Sequence, residues 1–122
     1  MEKLHTKDVD NLFKAILSLE NIDECYKFFE DALTVKEILD VAQRLKAARM
    51  LKDGENYAVI GKETGMSTAT ISRVSKCLEY GSGGYDIVLE RLEKEEKRVY
   101  MTNSRRISPL RVVGVRRKRK NK

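Results

Sequence analysis

The chain has 122 residues, enough for one domain with a modest core. With 41% hydrophobic and 36% charged residues it reads as globular rather than disordered, and it holds no apolar run long enough for a membrane helix. Net charge is +6, but residues 105–122 carry nine Lys and Arg and no acid, while the rest carries 16 Lys and Arg against 19 Asp and Glu. The folded body is therefore expected to be slightly acidic, with phosphate attraction confined to a local patch or to the tail.

The first residues, MEKLHTKDVD, lack the apolar core of a signal peptide, which predicts a cytoplasmic protein. Thr6 can cap a first helix running to about Leu19. Its apolar positions Val9, Leu12, Phe13, Ile16 and Leu17 follow helical spacing. Asn21 with Glu24 forms a capping-box pattern for a second helix, whose stripe holds Cys25, Tyr26, Phe28, Phe29 and Leu33. Thr34 with Glu37 is a second capping box. It opens a longer helix to about Lys52, with Ile38, Leu39, Val41, Ala42, Leu45, Ala48 and Leu51 over a wide face. Asp53-Gly54 ends it, Gly54 suiting the left-handed position after a helix. Two readings of the aromatics Phe13, Tyr26, Phe28 and Phe29 stay open. They form the core of one protomer, or the first three helices interlock with a second copy. Two-fold symmetry would then place two reading helices one DNA turn apart, about 34–36 Å.

Residues 57–74, YAVIGKETGMSTATISRV, have the spacing of a helix-turn-helix. Two short helices crossing at about 90–120° need a small residue at close approach, a turn residue that tolerates positive φ, and apolar pegs beneath. Gly61, Gly65 and the set Ile60, Met66, Ile71 and Val74 supply these in order. Ser67 is placed to cap the second helix. Ile71, Val74 and Leu78 share one stripe; Ala69, Arg73 and Lys76 lie opposite, with Ser72 on their shoulder. The N-terminal part of such a helix meets the bases. Thr68, Ala69, Thr70 and Arg73 are therefore the expected readers, since Arg can bridge guanine O6 and N7 and small residues allow close approach. Lys62, Ser72 and Lys76 are expected to serve phosphates, Ser67 to sit at the same interface, and Tyr57 to touch the DNA backbone.

Gly81-Ser82-Gly83-Gly84 reads as a flexible joint. A last helix is expected over about Tyr85–Tyr100, with Tyr85, Val88, Leu89 and Leu92 as its apolar face and Glu93, Glu95 and Glu96 in an exposed row. Only Val112–Val115 hints at a strand. The expected architecture is an all-α domain over 1–100, with the helix-turn-helix at 57–79, followed by a basic and disordered tail at 101–122. Catalysis has little support. His5 is the single histidine. No Ser/His/Asp set, phosphate-binding glycine loop or Cys/His metal cluster is present, so neither enzyme activity nor a cofactor or metal is expected. Cys25 and Cys77 fit reduced thiols in small apolar roles, with a disulfide left open. A helical dimeric protein-interaction module without specific DNA binding is the alternative. RNA binding through the tail is a third reading, weakened because the tail has no stacking aromatics.

From Leu33 to Leu78 the chain resembles the Trp repressor family. LTVKEILDVAQRLKAARMLKDGE is similar to that family's third helix and following loop, and TGMSTATISRVSKCL to its reading helix, Ala-Thr-Ile-Ser-Arg being the most specific part. Leu12-Phe13, Ile16-Leu17 and Glu24-Cys25-Tyr26-Lys27-Phe28-Phe29 are closer still to its bacterial YerC/YecD-like branch. The resemblance covers about residues 6–98. It implies a six-helix bundle, an intertwined homodimer, and a double-stranded-DNA-binding transcriptional regulator, a repressor by family habit.

Two departures stand out. The family's tryptophan-holding positions align with Gln43, Asp53, Arg73, Val74 and Cys77, of which only Arg73 matches. Asp53 puts a carboxylate where the ligand's carboxylate needs a cation, and Val74 adds bulk where the indole lies. This argues against tryptophan as corepressor and leaves either another small-molecule effector or a permanently set reader. The basic tail also departs, since family members end soon after the last helix. It reads as a solvated extension or as a nonspecific phosphate contact.

Overall fold

The structure is a computed structural model that describes residues 2–104. A single 3-10 turn at Glu2–Leu4 precedes six helices: α1 Lys7–Leu17, α2 Ile22–Ala32, α3 Val35–Lys52, α4 Tyr57–Thr64, α5 Thr68–Tyr80 and α6 Gly84–Ser104. No strand occurs among the described residues, so the expected all-α class holds. The strand hint at Val112–Val115 and the basic tail lie outside the described residues.

Local chemistry accounts for the helix ends. The Val9 N–H donates to Thr6 Oγ1 at 3.2 Å, which starts α1 where its cap predicts. The helix stops two residues before the expected end, because Ser18 caps it and its hydroxyl donates to the Ala15 carbonyl at 2.6 Å. At α2 the Glu24 N–H donates to Asn21 Oδ1 at 2.9 Å, but the Glu24 carboxylate accepts from Glu20 N–H, one residue earlier than a capping box requires. At α3 the box is reciprocal: Glu37 N–H donates to Thr34 Oγ1 at 3.1 Å and Thr34 N–H to the Glu37 carboxylate at 2.8 Å. Those bonds from Thr34, the backbone N–H first and then the hydroxyl, hold the Glu37 carboxyl below its ordinary range. Gly54 follows α3 at φ 88°, as expected. α6 starts one residue earlier than expected and continues four residues past Tyr100.

Two compact units divide the chain, one ending at Arg44 and the other starting at Leu45. In the first unit no residue of α1 or α2 is buried. Leu12, Phe13, Leu17, Ile22, Tyr26, Val35, Leu39 and Val41 are all exposed. Phe28 and Phe29 meet edge to face, centroids 5.3 Å apart, yet both stay only partly covered. None of the aromatics Phe13, Tyr26, Phe28 and Phe29 is buried within one chain.

The second unit holds the core. The C-terminal half of α3 presents two faces. Ala47 and Met50 pack with Ile60 of α4 and Ile71 of α5. Ala48 packs with Val74 of α5 and Leu89 of α6. Leu51 and Met66 border both groups and make them continuous. Ala47, Ala48 and Ile60 have no exposed surface. Alanine at the centre of α3 lets α4, α5 and α6 approach its backbone closely, and the larger Ile side chains fill the space between. Ala47 and Met50 were absent from the expected apolar face. Three cations of α3 then tie its rim down: Lys46 pairs with Glu63 at 3.5 Å, Arg49 with Glu96, and Lys52 with Asp86 at 2.8 Å. Glu96 therefore leaves the expected exposed row and faces α3. Its hydrogen bond, then its charge, raises the Arg49 guanidinium above its usual range; the Asp86 bond does the same for Lys52.

Candidate nucleic-acid interface

α4 and α5 are joined by Gly65-Met66-Ser67, and each part of the turn has a structural cause. Asn56 caps α4, its Oδ1 accepting from Val59 N–H at 2.9 Å. That cap escaped the sequence reading, although Asn followed by a helical pattern is a recognisable start signal. Gly65 closes α4 at φ 75°, ψ 8°, a left-handed conformation that residues with a Cβ avoid, and its N–H donates to the Gly61 carbonyl at 2.8 Å. A Cβ added at Gly61 would sit 3.4 Å from the Met66 carbonyl oxygen and 3.8 Å from Ile71 Cδ1. The approach expected there is real, but it is ordinary contact rather than one only glycine tolerates.

Thr64 is the polar residue that the motif pattern missed. It is 6% exposed. Its hydroxyl donates to the Ile60 carbonyl at 2.7 Å and accepts from Met66 N–H at 3.1 Å. A buried hydroxyl satisfied on both sides pins the turn to the last turn of α4. Its signal was a short hydroxyl residue directly before the turn glycine.

Helix α5 is seated as its stripe predicts. Ile71 and Val74 are 1% and 2% exposed, and Leu78 packs beside them. Rotation about the helix axis then turns Thr68, Ala69, Arg73 and Lys76 outward, and all are exposed. Lys62 and Tyr57 of α4 and Ser67 at the turn are exposed as well, while Thr70 and Ser72 are half-buried. Ser67 Oγ accepts from Thr70 N–H at 3.2 Å and lies 3.0 Å from Thr70 Oγ1. The Thr70 hydroxyl is therefore shared with the cap rather than wholly presented outward.

Charge separates this face from the part of α3 in the same unit. Among the described residues none of the ion pairs takes up Lys62, Arg73 or Lys76, whereas Lys46, Arg49 and Lys52 of α3 are all paired. A polar, cationic and protruding face with small residues at its N-terminal end can approach a groove lined by phosphates. Because Ser67 binds the Thr70 N–H, the helix N-terminus keeps its earlier N–H groups for an outside acceptor.

Among the described residues no group of His, Cys, Asp and Glu is arranged to hold a metal ion, and no helix is long and apolar enough to cross a membrane. Cys25 and Cys77 are free thiols, the second exposed on α5. Asp53 lines a groove together with Arg49, Lys52, Asp86, Leu89, Glu90 and Glu93, in which carboxylates outnumber cations. Val74, aligned with the family's ligand-side glycine, is instead a core residue against Ala48 and Leu89.

Comparison with known proteins agrees with this geometry. Residues 7–93 match the family described as Trp repressor protein. A Bacillus subtilis protein described as uncharacterized protein YerC is 51% identical over 96 residues, 79% of this chain and 92% of that one. A crystal structure of a TrpR-like protein from Eubacterium eligens superposes with a TM-score of 0.74 at 53% identity, covering 76% of this chain and 96% of that chain. A putative Trp repressor from Staphylococcus aureus does so at 0.73 and 51%, covering 75% and 92%.

Proposed function

The chain belongs to the Trp repressor family, and on that premise we propose that it is a cytoplasmic transcriptional repressor that reads double-stranded DNA as a homodimer. The observation that carries the reading is the outer face of α5. It stands on two fully seated pegs, Ile71 and Val74, and turns Thr68, Ala69 and Arg73 to solvent at the end of the helix that enters a major groove. In this reading Arg73 takes a guanine, Thr68 and Ala69 pass close to base edges, and Thr70 contributes through the hydroxyl it shares with Ser67. Lys62, Ser72 and Lys76 hold phosphates on either side, and Tyr57 rests on the sugar-phosphate backbone.

The dimer follows from the first unit. α1 and α2 are amphipathic and have no fully buried residue within one chain. An apolar stripe of that extent exceeds what a soluble monomer leaves to water, and a second copy covers it by two-fold symmetry. Tryptophan is not the corepressor in this reading. Aligned with the family, Asp53 stands where the ligand's carboxylate needs a cation and would repel it, and Val74, a core residue against Ala48 and Leu89, adds bulk where the family has a glycine beside the indole. Any effector is a different small molecule.

Selection from a random pool of duplex DNA, with the full chain at near-physiological salt, tests the reading. Enrichment of a site with two half-sites related by a two-fold axis is the expected result. A pool that stays unenriched, from protein that is folded and dimeric, would reject DNA reading and favour the use of the same face for a protein partner.

A further inference from the structure

Among the described residues Thr64 is the one polar side chain that is buried; every other buried residue is hydrophobic. Valine has nearly the same shape and brings no polar group to satisfy, so packing alone does not account for the hydroxyl. A helix that stops at a left-handed glycine has two common endings. In one, the N–H following the glycine bonds back into the last turn of the helix; in the other, only the glycine's own N–H does so. Here the Gly65 N–H takes the Gly61 carbonyl at 2.8 Å, the carbonyl that the first ending gives to the Met66 N–H. The Met66 N–H goes to Thr64 Oγ1 at 3.1 Å instead, and the same hydroxyl donates to the Ile60 carbonyl at 2.7 Å. The Met66 carbonyl oxygen lies over Gly61, 3.4 Å from where a Cβ would stand. Both polar groups of Met66 are thus held against α4. Gly65 permits the turn without choosing between the endings, since a Cβ built there meets nothing within 4 Å.

We infer that Thr64 is a positioning residue for the outer face of α5: its hydroxyl selects how α4 ends and so sets where Thr68 and Ala69 stand. The functional half of this rests on the DNA reading proposed above and adds to it a source of base selectivity that touches no base. α5 is seated by Ile71 and Val74. Arg73 lies between these pegs, so the core fixes it. Thr68 and Ala69 come before the first peg, and the chain reaches them from the turn through Ser67, which accepts from the Thr70 N–H at 3.2 Å. Without the hydroxyl the Met66 N–H loses its acceptor in a partly buried place, which favours the ending in which it takes the Gly61 carbonyl. That ending sends the chain out of α4 in another direction. It moves Ser67, Thr68 and Ala69 while Ile71 and Val74 stay seated. Binding groups have to be held to about 0.5 Å, so a small change of direction is enough to lose base choice.

The test compares the full chain with Thr64→Val and Thr64→Ser. Fluorescence anisotropy gives the affinity for the site enriched from the duplex pool and for a duplex of arbitrary sequence at the same salt. Thr64→Val is expected to lower the ratio of the two affinities about tenfold or more, with the arbitrary duplex bound as by the wild type. The loss is expected at base positions other than the one relaxed by Arg73→Ala. Thr64→Ser keeps the hydroxyl and is expected to keep the ratio. If Thr64→Val does not fold, Thr64→Ala, which also lacks the hydroxyl, takes its place. An unchanged ratio without the hydroxyl would overturn the inference. So would an equal fall on both duplexes, which would mean loss of folded protein. A folded Thr64→Ser that behaves like Thr64→Val would overturn it too, by making the methyl group the part that matters. Amide hydrogen exchange separates this from the function proposed for α5. The Met66 amide is expected to exchange about tenfold faster in Thr64→Val and at the wild-type rate in Thr64→Ser; equal rates in all three proteins would overturn the inference. If the wild type enriches no site while the Met66 rates differ as expected, positioning by Thr64 stands and the DNA reading fails.

Discussion

The two units of this chain invert the usual relation between pattern and burial. Up to Arg44 the helices are the most regularly amphipathic of the molecule, yet α1 and α2 bury no residue. From Leu45 onward the apolar positions are sparser and less regular, yet every buried hydrophobic residue among the described ones is there, from Ala47 to Leu89. Periodicity says that a helix has a face to cover, and says nothing about what covers it. In the second unit four helix segments cover one another around Ile60 and Ile71. In the first, the faces of α1 and α2 have no buried residue within one chain.

The sharpest way to break this contrast is a charge in the first unit. Phe13→Asp, at a position 52% exposed in the protomer, should convert a dimer to monomers in sedimentation velocity. Lost apolar burial alone costs about 1.5–3 kcal/mol per copy, incurred twice, before the buried charge is counted. The wild-type melting temperature should rise with protein concentration, and that of the variant should not. Unchanged mass and melting temperature would mean that this face has no partner.

Next in size is the opposite substitution in the second unit. Ile71→Ala removes a side chain that is 1% exposed and should cost about 2–5 kcal/mol in denaturant unfolding. A loss below about 1 kcal/mol would show that the α4–α5 core is looser than its packing implies. Arg73→Ala should leave melting untouched and weaken specific DNA binding by about 1–3 kcal/mol, with selectivity relaxed at one base position. A uniform loss across all sequences would instead make Arg73 a phosphate contact. Ser67→Ala removes the cap on Thr70 N–H and should cost about 1 kcal/mol of stability. The smallest effect is on pH. The Glu37 carboxyl is lowered by its bonds from Thr34. Its contribution is therefore present above the ordinary glutamate range and fades as pH falls through the depressed value. Glu37→Gln should flatten the acid limb of a circular-dichroism titration slightly, and an identical limb would remove the cap from the account.

Much of this was legible in the chain itself. Thr6, Asn21, Thr34 and Ser67 each start a helix where their side chains predict, because a cap is a bond to a backbone group three residues away. Gly65 marks the turn for an equally local reason. Thr64 and Asn56 were overlooked although their bonds are as short in sequence. Ala47 and Met50 were not legible in the same way. An alanine in a helix carries no sign of the neighbours that press on it, and these two become core only because α4 and α5 fold back onto α3. Glu96 was misplaced for a related reason: its partner Arg49 is 47 residues away.

What the sequence alone determined was therefore whatever depends on near neighbours: the helices and their caps, the turn at Gly65, and the stripe that aims Thr68, Ala69 and Arg73 outward. Only the tertiary structure decided which apolar faces meet inside one chain. The second half of α3 closes over Ile60, Ile71 and Val74, and no aromatic of α1 or α2 is buried. The physical reason is one of range. A cap or a turn is bonding between residues a few positions apart, whereas burial is a contest among all surfaces for the same apolar contact, settled only when every helix has been placed.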